Sequence, residues 1–509
     1  MAQQPPAFFY RHVPKNTLLI LLSILCLPVS TLIVLYGFLQ SRLDGRQAKR
    51  THIQNEATQK TILVTGVSMT KGLCITRILS RNTPHRILGA DIEHTPFTSP
   101  GRYSTSISSF HRLTAPDGEN AEPYIDSLLS LIRRQKVDIW ISCSSVVSAV
   151  EDGEVAQLAQ KAMGSEFRAV QFSPEVVQRL HEKDSFVEYV QALGLPCPDS
   201  YRVTSADEVL DILSRSSSSS SETSKHGKHY ILKPIAVNDS ARDQMMTLLS
   251  PSSSTSTASH IANLSISPSN PFQLQQYIRG PEYCTHALVI RGAVRAFVAC
   301  PSSDLLMHYH ALAPDSALTQ QMLQFTQTVA KDAGRDFTGH LSFDFLAEGY
   351  HADERKGELY AIECNPRAHT AVVLFQDTPE MAGAYLDLLG DESEKDGREL
   401  ELESPVIVTP KWPVRDYCWL GHDLVTLIII PFLSFLWGYQ GLKDVVEGFN
   451  DFVQHATTWN DGTYVAWDPV PFFVLYHVYW LVQFARCLVT GKRWSRINVS
   501  TTKVFEAGE

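Results

Sequence analysis

The chain contains no Cys-x-x-Cys pair, no Gly-x-Gly-x-x-Gly, no Walker loop and no excess of basic charge. Each absence removes a class of function. Its nine cysteines are scattered without regular spacing, so neither a zinc ribbon nor a disulfide framework is indicated. Unpaired thiols with apolar neighbours fit a reducing compartment. A formal net charge of −10 over 509 residues excludes a basic nucleic-acid surface, and no nucleic-acid partner is expected. Without the glycine fingerprint, a nicotinamide-dependent oxidoreductase is only the alternative reading of the first α/β segment.

One segment has the opposite lack: between Asn16 and Ser41 there is no charge at all. The run LLILLSILCLPVSTLIVLYGFL is long enough to span a bilayer as a helix, and Pro28 is tolerated there. No small-residue cleavage site follows it, which disfavours a signal peptide. Arg42, Arg46, Lys49 and Arg50 follow the run, against Arg11 and Lys15 before it. That asymmetry predicts a single-pass membrane protein with its long C-terminal part facing the cytosol.

After a polar linker (42–59), KTILVTGVSMTKGLCITRILSR predicts strand, glycine turn and helix; RILGADIE and VDIWISCSS predict further strands. Strands alternating with helices indicate a parallel α/β sheet. Two serine-rich stretches, RSSSSSSETSK and SPSSSTSTAS, predict solvated loops. Between them Lys233 stands alone in the apolar strand HYILKPIA, a costly place for an ammonium without a negative partner.

The segments HLSFDFLAEG and ELYAIECN predict an antiparallel pair. Along the second strand, Leu359, Ala361, Glu363 and Asn365 share one face, because side chains alternate. If the polar faces agree, Asp344 lies near Glu363 and Asn365, and three oxygen donors on a dry sheet suit Mg²⁺. In MHYH, His308 and His310 alternate onto one face, and a loop or core pair is the expectation over a metal site.

Five elements in order, EKDSF, ILKP, QQYIRGPEY, the strand bearing Asp344 and ECNPR, resemble the ATP-grasp superfamily over about residues 170–395. Within it the chain looks most like the carboxylate–amine ligases of fungal specialised metabolism. The expected α/β chain has an N-terminal tail and membrane helix (1–41), a linker (42–59) and an apolar C-terminal extension (396–509) read from the residues, and the resemblance implies a Rossmann-like pre-ATP-grasp domain (60–165) and ATP-grasp α+β domains (166–395). It implies ATP and Mg²⁺ as cofactors, with two ions expected and Mn²⁺ able to substitute. Lys183 and Lys233 match the lysines that reach the phosphates. Gln275, Gln276, Tyr277 and Ile278 match the adenine hinge, and Glu282 the ribose acid. Asp344, Glu363 and Asn365 match the Mg²⁺ ligands, and Arg367 the guanidinium on the transferring phosphoryl group. A carboxylate and an amine, the latter an amino acid, are the implied substrates.

Two departures stand out. The segment after Lys233 has no glycine-rich lid, so Asn238, Ser240 and Arg242 would have to serve. Ser342 stands where relatives carry a basic residue, and Arg295 is the candidate replacement. A catalytically inactive nucleotide-binding scaffold is the other alternative. Beyond 404 the aromatic-rich runs 424–439 and 470–484 predict interfacial or packed helices, and 442–454 an amphipathic helix, suited to a membrane-lying cap or to self-association into a homo-oligomer.

Overall fold

The computed structural model describes residues 12–43, 59–118, 120–144, 148–218, 229–234, 254–302, 307–349, 357–390 and 406–506. It divides into two compact units. The first comprises Met1–Val177, Cys284–Ser342 and Asn365–Phe505; the second comprises Gln178–Tyr283, Phe343–Cys364 and Glu506–Glu509.

The chain opens with helix α1 (His12–Leu43), which the charge-free run predicts. An α/β succession follows: β1 (Thr61–Thr65), α2 (Thr70–Asn82), β2 (Arg86–Ile92), β3 (Ser109–Leu113), α3 (Glu122–Gln135), β4 (Ile139–Ile141), α4 (Ala149–Met163) and β5 (Arg168–Val170). The five strands form a sheet in the order β3-β2-β1-β4-β5, parallel throughout. Ile62, Leu63 and Val64 are buried on both faces of β1, as a central parallel strand requires. The turn after β1 needs its glycine: Gly66 has φ +72°, and a Cβ there would meet the Cys143 carbonyl oxygen at 2.6 Å.

The second unit takes the second half of α5 (Pro174–His181), then α6 (Lys183–Ala192), β6 (Ser200–Val203), α7 (Ala206–Ser218), β7 (Tyr230–Pro234), α8 (Ser254–Ala262) and β8 (Phe272–Gln276). Its sheet is antiparallel in the order β6-β8-β7. Val209 and Leu213 of α7 and Ile261 of α8 pack with Leu232 and Leu274 of the sheet. Helix α8 corrects the second serine-rich loop expectation: Thr257 and Ile261, one helical turn apart, are both buried, so tertiary packing overrides the composition. The Asn238, Ser240 and Arg242 segment lies outside the described residues.

The first unit then resumes with β9 (Glu282–Ile290), β10 (Ala293–Pro301), α9 (Ala317–Ala333) and the start of β11 (Gly339–Glu348). Arg291 and Gly292, both at positive φ, make the tight turn between β9 and β10. In the second unit the rest of β11 adjoins β12 (Glu358–Asn365). Residues from Asn365 onward return to the first unit, with α10 (Glu380–Leu386).

Residues 406–505 belong to the first unit. They form β13 (Tyr417–Cys418), α11 (Leu420–Asp423), α12 (Ile430–Leu436), α13 (Leu442–Thr458), β14 (Asn460–Asp461), α14 (Val470–Val474), α15 (Trp480–Thr490), β15 (Trp494–Asn498) and β16 (Lys503–Glu506). Trp419, Leu475, Trp480 and Trp494 share one apolar cluster with Ile62 and Ile141 of the parallel sheet, so this part is core rather than appendage. A buried ion pair fixes it: Arg77 of α2 donates from Nε to Asp468 at 2.8 Å, with the side chains 1% and 0% exposed. Asp468 also accepts from Ser104 Oγ and from the Thr105 amide.

Among the described residues, two helical stretches are long and apolar enough to cross a membrane by length and composition, His12–Leu43 and Val470–Thr490. The second exceeds the 470–484 span expected from sequence because the helix continues through Thr490, with a π-helical turn at Leu475–Tyr479. Ser23 Oγ donates to the Tyr476 carbonyl at 2.9 Å, and the Lys15 ammonium sits over the Trp494 ring.

Candidate active site

In the second unit, Lys233 on β7 and Gln275 on β8 face the same way. Ile231 pairs with Gln275 and Lys233 with Gln273, so Gln275 is the diagonal neighbour of Lys233. The ammonium of Lys233 donates to Gln275 Oε1, and Gln275 Nε2 donates to Ser200 Oγ at 3.2 Å. The lysine in the apolar strand is therefore held and aimed by a buried amide. Lys183 is the first residue of α6 and is half-buried.

The hinge residues follow directly. The Gln276 amide donates to the Asp199 carbonyl at 2.8 Å and the Tyr277 amide to the His229 carbonyl at 2.7 Å. Adenine recognition through those two backbone N–H groups does not fit, because the sheet already uses them. Ile278 is buried, whereas Tyr277 and Glu282 are exposed. Gly280 between them packs on β11, where a Cβ would come within 1.9 Å of the Ala347 carbonyl oxygen. Only glycine lets the backbone approach that closely.

Asp344 on β11 and Glu363 on β12 sit half-buried on adjacent strands. Strand β12 shows the alternation its sequence implies: Leu359 and Ala361 are buried ahead of Glu363, and Asn365 ends the strand buried. In the first unit, Arg367 Nη2 donates to Asn365 Oδ1 at 3.0 Å, and the Arg367 amide donates to the Asn365 carbonyl at 2.8 Å. The Asp344 and Glu363 carboxylates of the second unit supply the hard oxygen donors that Mg²⁺ takes, so their chemistry fits that ion. Arg295 of β10 is held in an ion pair by Asp387.

Around Arg367 the first unit gathers groups the sequence reading missed. Lys71 of α2 is buried and donates to the Ser144 and Ala368 carbonyls at 2.8 and 3.1 Å. Burial, with the Arg367 charge adding, lowers its amine to about 7. Burial and then Arg367 bring His369 down to about 3. His340, bonded to the Tyr385 hydroxyl at 2.8 Å, also falls to about 3 through burial, and burial holds His286 well below its ordinary value. Burial thus disfavours the charged forms of Lys71, His286, His340 and His369 around Arg367. Histidines at 286 and 340 inside otherwise apolar strands were the available signal.

The β1–α2 turn, the other candidate nucleotide site, is filled by the chain itself. Asp91 Oδ2 accepts from the Ser68 amide at 2.7 Å, and the Thr70 amide, first in α2, donates to the Ser500 carbonyl at 2.8 Å. The carboxylate and the helix N-terminus that a dinucleotide would need are both engaged.

His308 and His310 do not act as a pair. His310 is exposed, while His308 Nε2 lies 2.9 Å from Asp423.

No protein-family model matches the chain, and a search of curated proteins finds no match. Among solved structures it is similar to an ADP complex of N5-carboxyaminoimidazole ribonucleotide synthetase, at 14% identity and TM-score 0.42, over 63% of this chain and 73% of that one. It is similar to an L-amino acid ligase from Bacillus licheniformis at 13% identity and TM-score 0.39, over 61% and 67%. A biotin carboxylase–β,γ-ATP complex from Campylobacter jejuni is similar at 12% identity and TM-score 0.47, over 65% and 71%.

Proposed function

We propose that the protein is an ATP-dependent ligase that joins a small carboxylate to an amine through an acyl phosphate. The observation that carries this reading is the end of β12, where Glu363 and Asn365 alternate onto one strand face and Arg367 donates to the Asn365 amide oxygen. A strand end that gathers a carboxylate, an amide and a guanidinium is poorly suited to a core and well suited to a triphosphate with its counter-ions.

Asp344, Glu363 and Asn365 would hold Mg²⁺, two ions in this reading. Bound there, the metal neutralises phosphate charge and polarises the phosphorus–oxygen bond. Lys183 and Lys233 bind the phosphates, Lys233 being pre-aimed by Gln275. Gln275–Ile278 flank the adenine, with the Ile278 backbone the hinge contact, and Glu282 accepts from the ribose hydroxyls. Arg367 orients the γ-phosphoryl group. Arg295 would have to leave Asp387 before it could meet an acyl phosphate.

A carboxylate oxygen of the acid bonds to the γ-phosphorus as the bond to ADP breaks. The amine nitrogen then bonds to the acyl carbon, phosphate leaves, and the ammonium proton passes to solvent. Phosphoryl transfer asks for positioning and charge neutralisation, which explains a site rich in cations and oxygen donors and without a nucleophilic triad. The order of motifs resembles ligases of specialised metabolism, and we place the reaction there.

Membrane attachment belongs to the same proposal. Leu21, Leu25 and Leu32 of α1 are exposed, and so are Leu442, Val446, Phe449 and Val453, which recur at helical spacing along α13. A lipid surface is the occupant that suits both, with the soluble part cytosolic as the basic residues after α1 imply.

The test is a matrix of carboxylates and amines scored for ADP release, with products identified by mass. Pair-dependent ADP and an amide of the combined mass, less water, are expected. Mg-ATP binding with no turnover across the matrix would instead mark an inactive scaffold.

A further inference from the structure

We propose that His308, Asp423 and His455 form a site for a zinc-class divalent cation, separate from the ATP-dependent chemistry. Asp423 ends α11 with its side chain fully buried, and both carboxylate oxygens are directed at imidazoles. His308 Nε2 lies 2.9 Å from Oδ1 and His455 Nδ1 lies 2.8 Å from Oδ2. The three ligating atoms lie within 4.8 Å of one another, the only such His/Cys/Asp/Glu group among the described residues. Two imidazoles and one carboxylate are a borderline donor set, which favours Zn²⁺ over the all-oxygen preference of Mg²⁺.

The dimensions suit the ion. With zinc about 2.0–2.1 Å from each ligand, neighbouring tetrahedral donors stand roughly 3.3 Å apart, so donor atoms already within 4.8 Å of one another need only side-chain adjustment to meet one ion. Three protein ligands leave a fourth position for water, the arrangement of an open zinc site. His308 is the partly exposed member and marks the side of entry.

The surroundings fix the ligands rather than merely bury them. Trp459 stacks on the His455 ring with centroids 4.1 Å apart and meets His308 edge-on at 5.0 Å. The Cys418 thiol hydrogen-bonds Asp423. Tyr309, the residue after His308, pairs by backbone with Tyr417, which holds the His308 segment beside α11. The helix after Asp423 widens into a π-helical stretch at Leu424–Ile429, a distortion frequent at functional sites. A cation here ties three separate stretches of the first unit together: the segment after β10, α11 and the end of α13.

The test uses full-length protein in detergent, stripped with a chelator, loaded with Zn²⁺ alone and desalted. About one zinc per chain is expected for the wild type and for Glu363→Gln, which removes only the proposed magnesium site. His308→Gln and His455→Gln, checked for fold by circular dichroism, should each weaken zinc binding by at least about 10-fold. Co²⁺ added to the stripped wild type should give the intense visible bands of a four-coordinate centre. Failure of the wild type to retain zinc would overturn the proposal. So would absent Co²⁺ bands, or full zinc retention in a folded His455→Gln variant. Loss of zinc in Glu363→Gln with retention in His455→Gln would reassign the metal to the strand site.

Discussion

Arg367 Nη2 donates to Asn365 Oδ1 at 3.0 Å, so the guanidinium and the proposed metal ligand at the end of β12 are one mechanical unit. An amide oxygen has two lone pairs, and with one taken by Arg367 the other is oriented for an ion. The pair therefore couples the metal ligand to the phosphoryl-binding cation.

Substitution at this strand end should remove turnover without removing the fold. Glu363→Gln and Asn365→Ala should each lower kcat by at least about 10²-fold, the scale for losing one electrostatic partner of a transition state. Arg367→Lys should cost comparably, because an ammonium cannot reproduce the planar fork. Steady-state ADP formation by variants with wild-type circular dichroism measures this. Near-wild-type ADP formation from folded Glu363→Gln would remove the metal assignment.

The buried Arg77–Asp468 pair makes a separate prediction about stability. Arg77→Met leaves Asp468 with its hydroxyl and amide donors but without a counter-charge in a dry site. A loss of about 3–5 kcal/mol is expected from denaturant titration. Loss of less than about 1 kcal/mol would mean that the pair is not holding α2 to the C-terminal part.

Lys71 should make stability depend on pH in a defined direction. Burial lowers its amine from an ordinary 10.5 to about 7. As pH rises through that window, the folded protein gives up the proton before the unfolded chain does, so this group's contribution becomes more favourable. Below the window the burial cost is present in full. Lys71→Met should therefore gain most over the wild type near pH 6, with the gain shrinking toward pH 10. A pH-independent difference in unfolding midpoint would contradict the assigned shift.

Deleting residues 1–43 should leave the protein in the membrane fraction. Val470–Thr490 packs in the core, but α13 still exposes Leu442, Val446, Phe449 and Val453 once α1 is gone, a face suited to a lipid surface. Release into the soluble fraction would show that α1 alone anchors the chain.

Much of this was legible in the sequence where local pattern and tertiary role agree. The alternation along 358–365 and the glycine turn at Gly66 are visible without a structure, because strand period and positive φ leave direct marks on residue choice. Contacts of long sequence separation were not legible. Nothing local connects Arg77 to Asp468, Lys71 to Ala368, or His308 to His455. Helix α8 escaped for a related reason, since its serines and threonines mask the single turn of buried side chains that holds it. The Gln276 and Tyr277 amides show the converse, a motif whose backbone groups are already committed by the sheet.

The central claim is acyl-phosphate chemistry, and a trapping reaction tests it most directly. Full-length protein is incubated with Mg-ATP, hydroxylamine and a carboxylate that supports ADP release in the substrate matrix. Hydroxylamine intercepts acyl phosphates, so a hydroxamate of that acid and ADP in equal amounts are expected, with neither formed by Glu363→Gln. Formation of AMP and pyrophosphate in place of ADP would reveal an acyl adenylate and contradict the proposed mechanism.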